Sequence, residues 1–271
     1  MKYAAVAILL LIVAFPMIWM LWGSTLDIWG ILAMPPRLSL EHVTLKNYYH
    51  VIVGRPVFKW CLNTLKIWVV SVVLSVLATF MAGFAFSIYD FKGQRVLFWL
   101  FLLGIIVPYN AMIIPLFVTV KKMGIGGTWL AAVAPNIFWP VGMLICRDYI
   151  DRVPRSMFDA GMIEGASDMR IITQVYLPLC KPLFGALVIF RSIRVLTDFL
   201  WQMLNLQADA QKNLLVGLMF VVMRRGGDSV TNINPIGQQL AVGTLLAIPI
   251  VIIFAIFQRY FIHGIISGVK E

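Results

Sequence analysis

Apolar runs free of charge recur along the chain and are separated by shorter polar stretches. A helix that crosses the hydrocarbon core needs about 20 mostly apolar residues. Five runs reach that length cleanly, at about 3–24, 67–89, 96–120, 124–146 and 240–258. A sixth, 182–204, is apolar but carries Arg191, Arg194 and Asp198. With their flanks, these runs predict an all-α polytopic membrane protein of six transmembrane helices. The spans lie at about 3–24, 60–89, 96–120, 124–146, 182–204 and 240–262, in one membrane domain over residues 1–271. Six spans leave both termini on the same side.

Composition sharpens the class. Of the 271 residues 61% are hydrophobic and 13% charged, and mean hydropathy is +0.90, outside the range of soluble domains. The N-terminal run Tyr3–Leu26 is longer than a signal-peptide core and has no small-residue cleavage pattern, so it reads as a retained first span. The net charge of +10 fits lysines and arginines at lipid headgroups rather than a nucleic-acid surface, since no basic stretch is interleaved with aromatics. Cys61, Cys146 and Cys180 are scattered and read as small hydrophobes. His42, His50 and His263 lie far apart, so neither a metal site nor a His-dependent catalytic centre is expected.

Basic residues divide almost evenly between the two sides. The short-loop clusters Lys92–Arg95 and Arg147–Arg155 favour cytoplasmic termini. Pro16, Pro108, Pro115, Pro135, Pro140 and Pro249 fall within the spans, where they are either tolerated or kink a moving pathway. Two outer segments are substantial: 27–58, with Pro35-Pro36, and 205–239, whose apolar piece Leu214–Met223 is too short to span. Each is a solvated connection or a contact for an extracytoplasmic partner. Trp99, Trp129 and Trp139 fit an interfacial belt.

Between the fourth and fifth spans runs the polar stretch Asp148–Pro182, containing the loop 148–180. Pro154 suits a first helical turn, and Met157, Phe158, Met162 and Ile163 recur at about helical spacing. Arg155, Asp159 and Glu164 are its polar contacts, and Gly165 offers a stop and a sharp turn. A second short helix, Met169–Tyr176, is expected to end before Leu177-Pro178. Such an amphipathic helix lies at the headgroups or inserts into a partner's cleft. The turn Gly165-Ala166-Ser167, followed by a helix leading into a span, favours the cleft.

These residues resemble the EAA motif of bacterial ABC importer permeases, EAA-x-I-D-G-A followed by I-x-x-P-L. The chain reads Asp159-Ala160-Gly161-Met162-Ile163-Glu164-Gly165-Ala166, then Val175-Tyr176-Leu177-Pro178-Leu179. Asp159 stands for the usual glutamate, Glu164 for the aspartate, and Gly161 for the second alanine, at about 1 kcal/mol of helix propensity. Thr44-Leu45-Lys46-Asn47-Tyr48 is similar to the segment before the second span of the maltose and glycerol-3-phosphate type permeases. Asp198-Phe199-Leu200-Trp201 matches the end of their W-N-D-F-L-W element, with Leu196-Thr197 in place of Trp-Asn. Gln258-Arg259-Tyr260-Phe261, Gly264 and Gly268-Val269-Lys270 resemble their tail.

The resemblance implies a type I ABC importer permease fold and a multi-pass protein of the bacterial inner membrane with both termini cytoplasmic. It also implies a cytoplasmic coupling helix that docks on an ATPase through Asp159, Ala160, Gly161, Ile163, Glu164, Gly165, Ala166, Leu177 and Pro178. The implied partners are a second homologous permease, two ATPase subunits, an extracytoplasmic substrate-binding protein and lipid. The cargo would be a carbohydrate or related polyol. The chain has no GxxxxGK[ST], so it cradles no nucleotide itself; ATP and magnesium belong to the partner ATPase, and this chain is not an enzyme.

Within the sixth apolar run, Arg191, Arg194 and Asp198 lie near one helical face, and Arg194 can pair with Asp198 at i,i+4. Buried charges of this kind form an internal ion pair, a permease–permease interface, or a pathway contacting sugar hydroxyls or an anionic group. Trp201 adjoins the same element. The rival readings are a permease for another solute, such as a polyamine or phosphonate, and an integral-membrane enzyme. The enzyme would want acids and histidines clustered at a membrane surface, whereas the inner acids here fall in the loop.

Overall fold

The computed structural model describes residues 2–33, 39–225 and 234–268; Pro35-Pro36 and the tail pair Val269-Lys270 lie outside them. Among the described residues the chain is all-α, with a single isolated bridge between Leu26 and Val43. The helices are α1 (Lys2–Ser24), α2 (Ile28–Leu32), α3 (Lys46–Ile52), α4 (Val57–Ile88), α5 (Gln94–Ile106), α6 (Tyr109–Lys122), α7 (Trp129–Ile137) and α8 (Pro140–Asp151). There follow α9 (Ser156–Ile163), α10 (Asp168–Ile171), α11 (Leu177–Leu179), α12 (Lys181–Thr197), α13 (Phe199–Asn205), α14 (Leu214–Arg225) and α15 (Pro235–Gly268).

Three described stretches are single helices long and apolar enough to cross a membrane: Val6–Ser24, Val57–Ile88 and Pro235–Gln258. The expected spans 96–120 and 124–146 are each broken. The α5–α6 pair bends by 108° and the α7–α8 pair by 43°, so counting each pair as one span gives five. The α5–α6 bend falls at Val107-Pro108, where the residue ahead of the proline is driven to extended backbone (φ −74°, ψ 119°). The α7–α8 break falls at Phe138-Trp139, just ahead of Pro140. Pro16 and Pro249, by contrast, lie inside the unbroken α1 and α15. The expected sixth run, 182–204, divides at Asp198 into α12 and α13, because the Asp198 carboxylate turns to cap the Trp201 amide.

The chain forms two compact units, Met1–Asn63 with Lys212–Val251, and Thr64–Gln211 with Ile252–Glu271. In the first, buried amides close the polar segments. Asn47 donates to the carbonyls of Ser24 (2.9 Å) and Leu26 (2.8 Å), and Asn234 donates to Leu26 (2.8 Å) and to the Asn47 side-chain oxygen (3.1 Å). Asp27 caps α2 through the Gly30 amide and meets His42 at 3.1 Å. Burial alone would raise the pKa of Asp27, but the Gly30 amide and the His42 imidazole outweigh it and hold the carboxyl below its ordinary range. Asn47 lies in the segment that carries the family resemblance, and its role here is to tie that segment to the end of α1.

In the second unit, α4 and α8 approach closely through small residues. Ser71, Ser75, Thr79 and Gly83 repeat every fourth residue on a buried face of α4. A Cβ on Gly83 would come within 2.5 Å of the Cys146 Cβ and 3.0 Å of the Arg147 backbone nitrogen. Helices in lipid gain contact by such backbone proximity, since burying apolar surface from a hydrocarbon solvent gains little.

Candidate functional site

The loop 148–180 is ordered by its own hydrogen bonds. Helix α9 ends in a Schellman turn: the Ala166 amide donates to the Gly161 carbonyl and the Gly165 amide to Met162, both at 3.0 Å. Gly165 sits at φ +77°, the left-handed region in which a Cβ is strained. Gly161, read from sequence as a loss of helix propensity, is where Ile171 packs. A Cβ there would lie 2.9 Å from the Ile171 Cδ1 and Cγ1. The glycine lets α10 fold back closely on α9.

The second helix runs on past its expected end. Helical backbone starts at Asp168 and continues through a wide turn over Ile172–Tyr176, then α11, into α12. Pro178 brings no amide to the ladder, and just ahead of it the Leu177 amide reaches back five residues to Ile172. The Cys180 amide then bonds Tyr176 at 2.8 Å. The loop therefore joins the buried α12 through nearly continuous helix.

An aromatic cluster fastens this loop to the end of α4. Phe84 stacks edge-on to Tyr176 (centroids 5.0 Å apart) and meets Phe158 at 6.2 Å, while Tyr89 meets Phe158 at 6.1 Å. Phe80 adds Phe184 of α12 at 4.9 Å. The Tyr89 hydroxyl donates to Asp168 at 2.6 Å. Burial, and then the Asp168 carboxylate, push that hydroxyl up to about 12, so it stays a donor throughout the physiological range. Phe158 is turned inward. Asp159, Ala160, Met162, Ile163 and Glu164 face outward, with Ile163 86% exposed. Leu177 is partly buried and Pro178 exposed.

The residues singled out in 182–204 come together but face differently. Arg191 is buried and donates from Nη2 to the Asn136 backbone carbonyl and, at 3.3 Å, to the Asn136 Oδ1. Trp201 is fully buried and donates from Nε1 to the Ala131 carbonyl at 2.9 Å. Arg194 pairs with the buried Asp198 at 3.8 Å, as its spacing predicts, and lies 4.1 Å over the Tyr109 ring. Tyr109 donates to the same Asp198 oxygen at 2.8 Å. Of these four, Arg194 lines a cleft of about 570 Å³, whose walls include Tyr109, Leu116, Phe138, Trp139 and Val141.

A cleft of that size, with aromatic walls and few polar groups, suits a small organic ligand. Aromatic faces can stack on the C–H faces of a sugar ring, and the guanidinium can donate to hydroxyls. Tyr109, Phe138 and Trp139 were not legible as wall residues. The signal that could have found them is their position beside Pro108 and Pro140, where the helices break and turn side chains out of register. Among the described residues no cluster of His, Cys, Asp or Glu could hold a metal ion.

Residues 56–267 match the family described as binding-protein-dependent transport system inner membrane component. The arabinooligosaccharides transport system permease protein AraQ of Bacillus subtilis is 30% identical over 265 residues, covering 96% of this chain and 92% of its own. The AraQ of Halalkalibacterium halodurans is 32% identical over 230 residues, 84% of this chain and 80% of its own. The trehalose/maltose transport system permease protein MalG of Thermococcus litoralis is 28% identical over 268 residues, 97% and 93% of the two chains. In fold, the chain is similar to a bacterial ABC transporter involved in the import of the acidic polysaccharide alginate. The TM-score is 0.78 at 19% identity, covering 96% of this chain and 95% of that one.

Proposed function

The chain belongs to the binding-protein-dependent transport system inner membrane components, and we propose that it is the permease subunit of an ABC importer for an oligosaccharide. The observation that carries the coupling role is the Schellman-ended α9. It offers Ile163 to solvent while Phe158, Tyr176 and Phe84 fix its base to α4 and α12. A rigid, exposed helix joined to a buried one passes force from a soluble partner into the membrane. The partner is an ATPase pair that hydrolyses ATP, bound through Asp159 to Ala166 with Leu177 and Pro178 behind. A second homologous permease and a substrate-binding protein complete the importer in the inner membrane.

Six spans follow in this reading: α1, α4, the bent pairs α5–α6 and α7–α8, the pair α12–α13, and α15, with both termini cytoplasmic. The charges of α12–α13 fit a span because Arg191 and Asp198 have internal partners. ATP binding closes the ATPases, draws the coupling helices together and turns the cavity outward; hydrolysis resets it. Relatives named for arabinooligosaccharide, galactooligosaccharide and diacetylchitobiose uptake favour an oligosaccharide over a polyamine or phosphonate, and the cleft's aromatic walls agree.

A cysteine at Ile163 should cross-link to the ATPase subunit in the assembled importer, with a yield that changes when ATP is added. An ATPase that co-purifies yet forms no adduct would remove the docking role. Arg194→Ala should lower uptake into proteoliposomes about tenfold at saturating binding protein, the worth of one charge-assisted hydrogen bond. Wild-type uptake by that variant would take Arg194 out of the pathway.

A further inference from the structure

Inside α7, Pro135 leaves one carbonyl without its helical donor, because proline has no N–H, and the break at Phe138-Trp139 leaves others at the helix end without theirs. Pro135 deprives the Ala131 carbonyl four residues earlier, and the extended backbone at Phe138-Trp139, which ends α7, deprives that of Asn136. Both residues are buried, at 0% and 4% exposure. In a membrane interior such a group must find a partner within the protein. Each does so from α12–α13. Trp201 donates its indole N–H to Ala131, and Arg191 donates its guanidinium to Asn136. Two orphaned carbonyls thus meet two buried side-chain donors that lie far away in sequence.

Arg191 reaches further. Its guanidinium lies 5.5 Å over the ring of Trp139, a wall of the cleft. That ring is backed by Gly142, where a Cβ would fall 2.4 Å from it. Trp139 therefore packs on the backbone of α8 with the Arg191 guanidinium over its ring.

We propose that Arg191 and Trp201 are positioning residues that replace the backbone donors missing at the Phe138-Trp139 break and at Pro135, and that Arg191 thereby sets the pose of Phe138 and Trp139 in the cleft. Arg191 then acts on the solute through the break and does not contact it. Because α12 continues the loop helix, a displacement at α10 arrives at the cleft through Arg191. This last step rests on the permease reading; the hydrogen-bond replacement does not.

The test restores the missing amide. In the assembled importer, Trp201→Phe keeps the ring and loses the donor, while Pro135→Ala returns a backbone N–H inside α7, which runs helical through that position. Trp201→Phe should cost about tenfold in uptake and lower the unfolding temperature, and the double variant should return to within about twofold of wild type. Arg191→Met should lower uptake and unfolding temperature likewise, with no rescue by Pro140→Ala because Phe138-Trp139 stay extended ahead of it, and Arg191→Lys should retain part of the uptake. The crossed pairs, Trp201→Phe with Pro140→Ala and Arg191→Met with Pro135→Ala, should stay impaired.

Impairment of Trp201→Phe with Pro135→Ala equal to that of Trp201→Phe alone, singles equal to wild type, or rescue by the crossed pairs would each overturn the proposal. If Arg191 bound solute directly, Arg191→Met would lower uptake and leave the unfolding temperature unchanged. Thermal unfolding of the purified assembly in detergent reads the same cycles without transport. Failure of the permease reading would silence uptake in every variant and leave the thermal pattern intact, whereas failure of this proposal removes the thermal pattern itself.

Discussion

Replacing Gly165 by proline is expected to abolish ATPase-coupled uptake while leaving the membrane helices folded. Gly165 holds φ at +77°, whereas proline locks φ near −65°. The substitution also deletes the Gly165 amide that bonds Met162, half of the Schellman turn. The turn cannot form, so α9 loses its register with α10, and Ile171 loses its seat on Gly161. A cost of about 3 kcal/mol or more falls on one exposed turn. The helices packed elsewhere do not depend on it.

A graded series separates backbone from side chain. Nothing lies within 4 Å of a Cβ built on Gly165, so Gly165→Ala carries only the left-handed penalty of about 1–2 kcal/mol. Gly165→Asn should carry less, since asparagine tolerates that region. The measurements are ATPase co-purification, and uptake per ATP hydrolysed in proteoliposomes. Normal coupled uptake by the proline variant would refute the role of the turn.

Phe84→Ala should detach the loop from the other side. Phe84 is 1% exposed and touches Phe80, Tyr89, Phe158 and Tyr176. Truncation leaves a cavity beneath both loop helices. In water-soluble proteins such a change costs about 3–5 kcal/mol. In lipid the transfer part falls away and lost packing remains, so about 3 kcal/mol is expected. The outcome to look for is a lower unfolding temperature together with ATP hydrolysis that no longer responds to the loaded binding protein. Phe84→Leu, which refills part of the volume, should restore much of both. A variant with wild-type stability and coupling would show that the cluster does not transmit force.

The loop's departures from the motif had different legibility. Asp159 and Glu164 keep their charge, and both are exposed, as an amphipathic reading implies. Gly161 was misleading by itself, since helix propensity counts only its entropy. Its compensation is Ile171, ten residues on and across the turn. The expected end of the second helix before Leu177-Pro178 was also too early. Proline rules describe a regular ladder, and a widened turn over Ile172–Tyr176 carries the helix through.

What the sequence by itself determined was local: the apolar runs, the turn at Gly165, the Arg194–Asp198 spacing and the family motif. These follow from composition, from φ freedom and from side-chain spacing within one helix, all contained in a few consecutive residues. Only the tertiary structure decided which prolines break a helix and which do not, since Pro16 and Pro249 sit in intact helices while Pro108 and Pro140 mark bends. It also decided that Arg194 lines the cleft and Arg191 does not. A proline beyond the first turn of a helix orphans a carbonyl. Which buried carbonyls left without a helical donor find one is decided elsewhere in the chain, and here the donors to Asn136 and Ala131 come from 55 and 70 residues away.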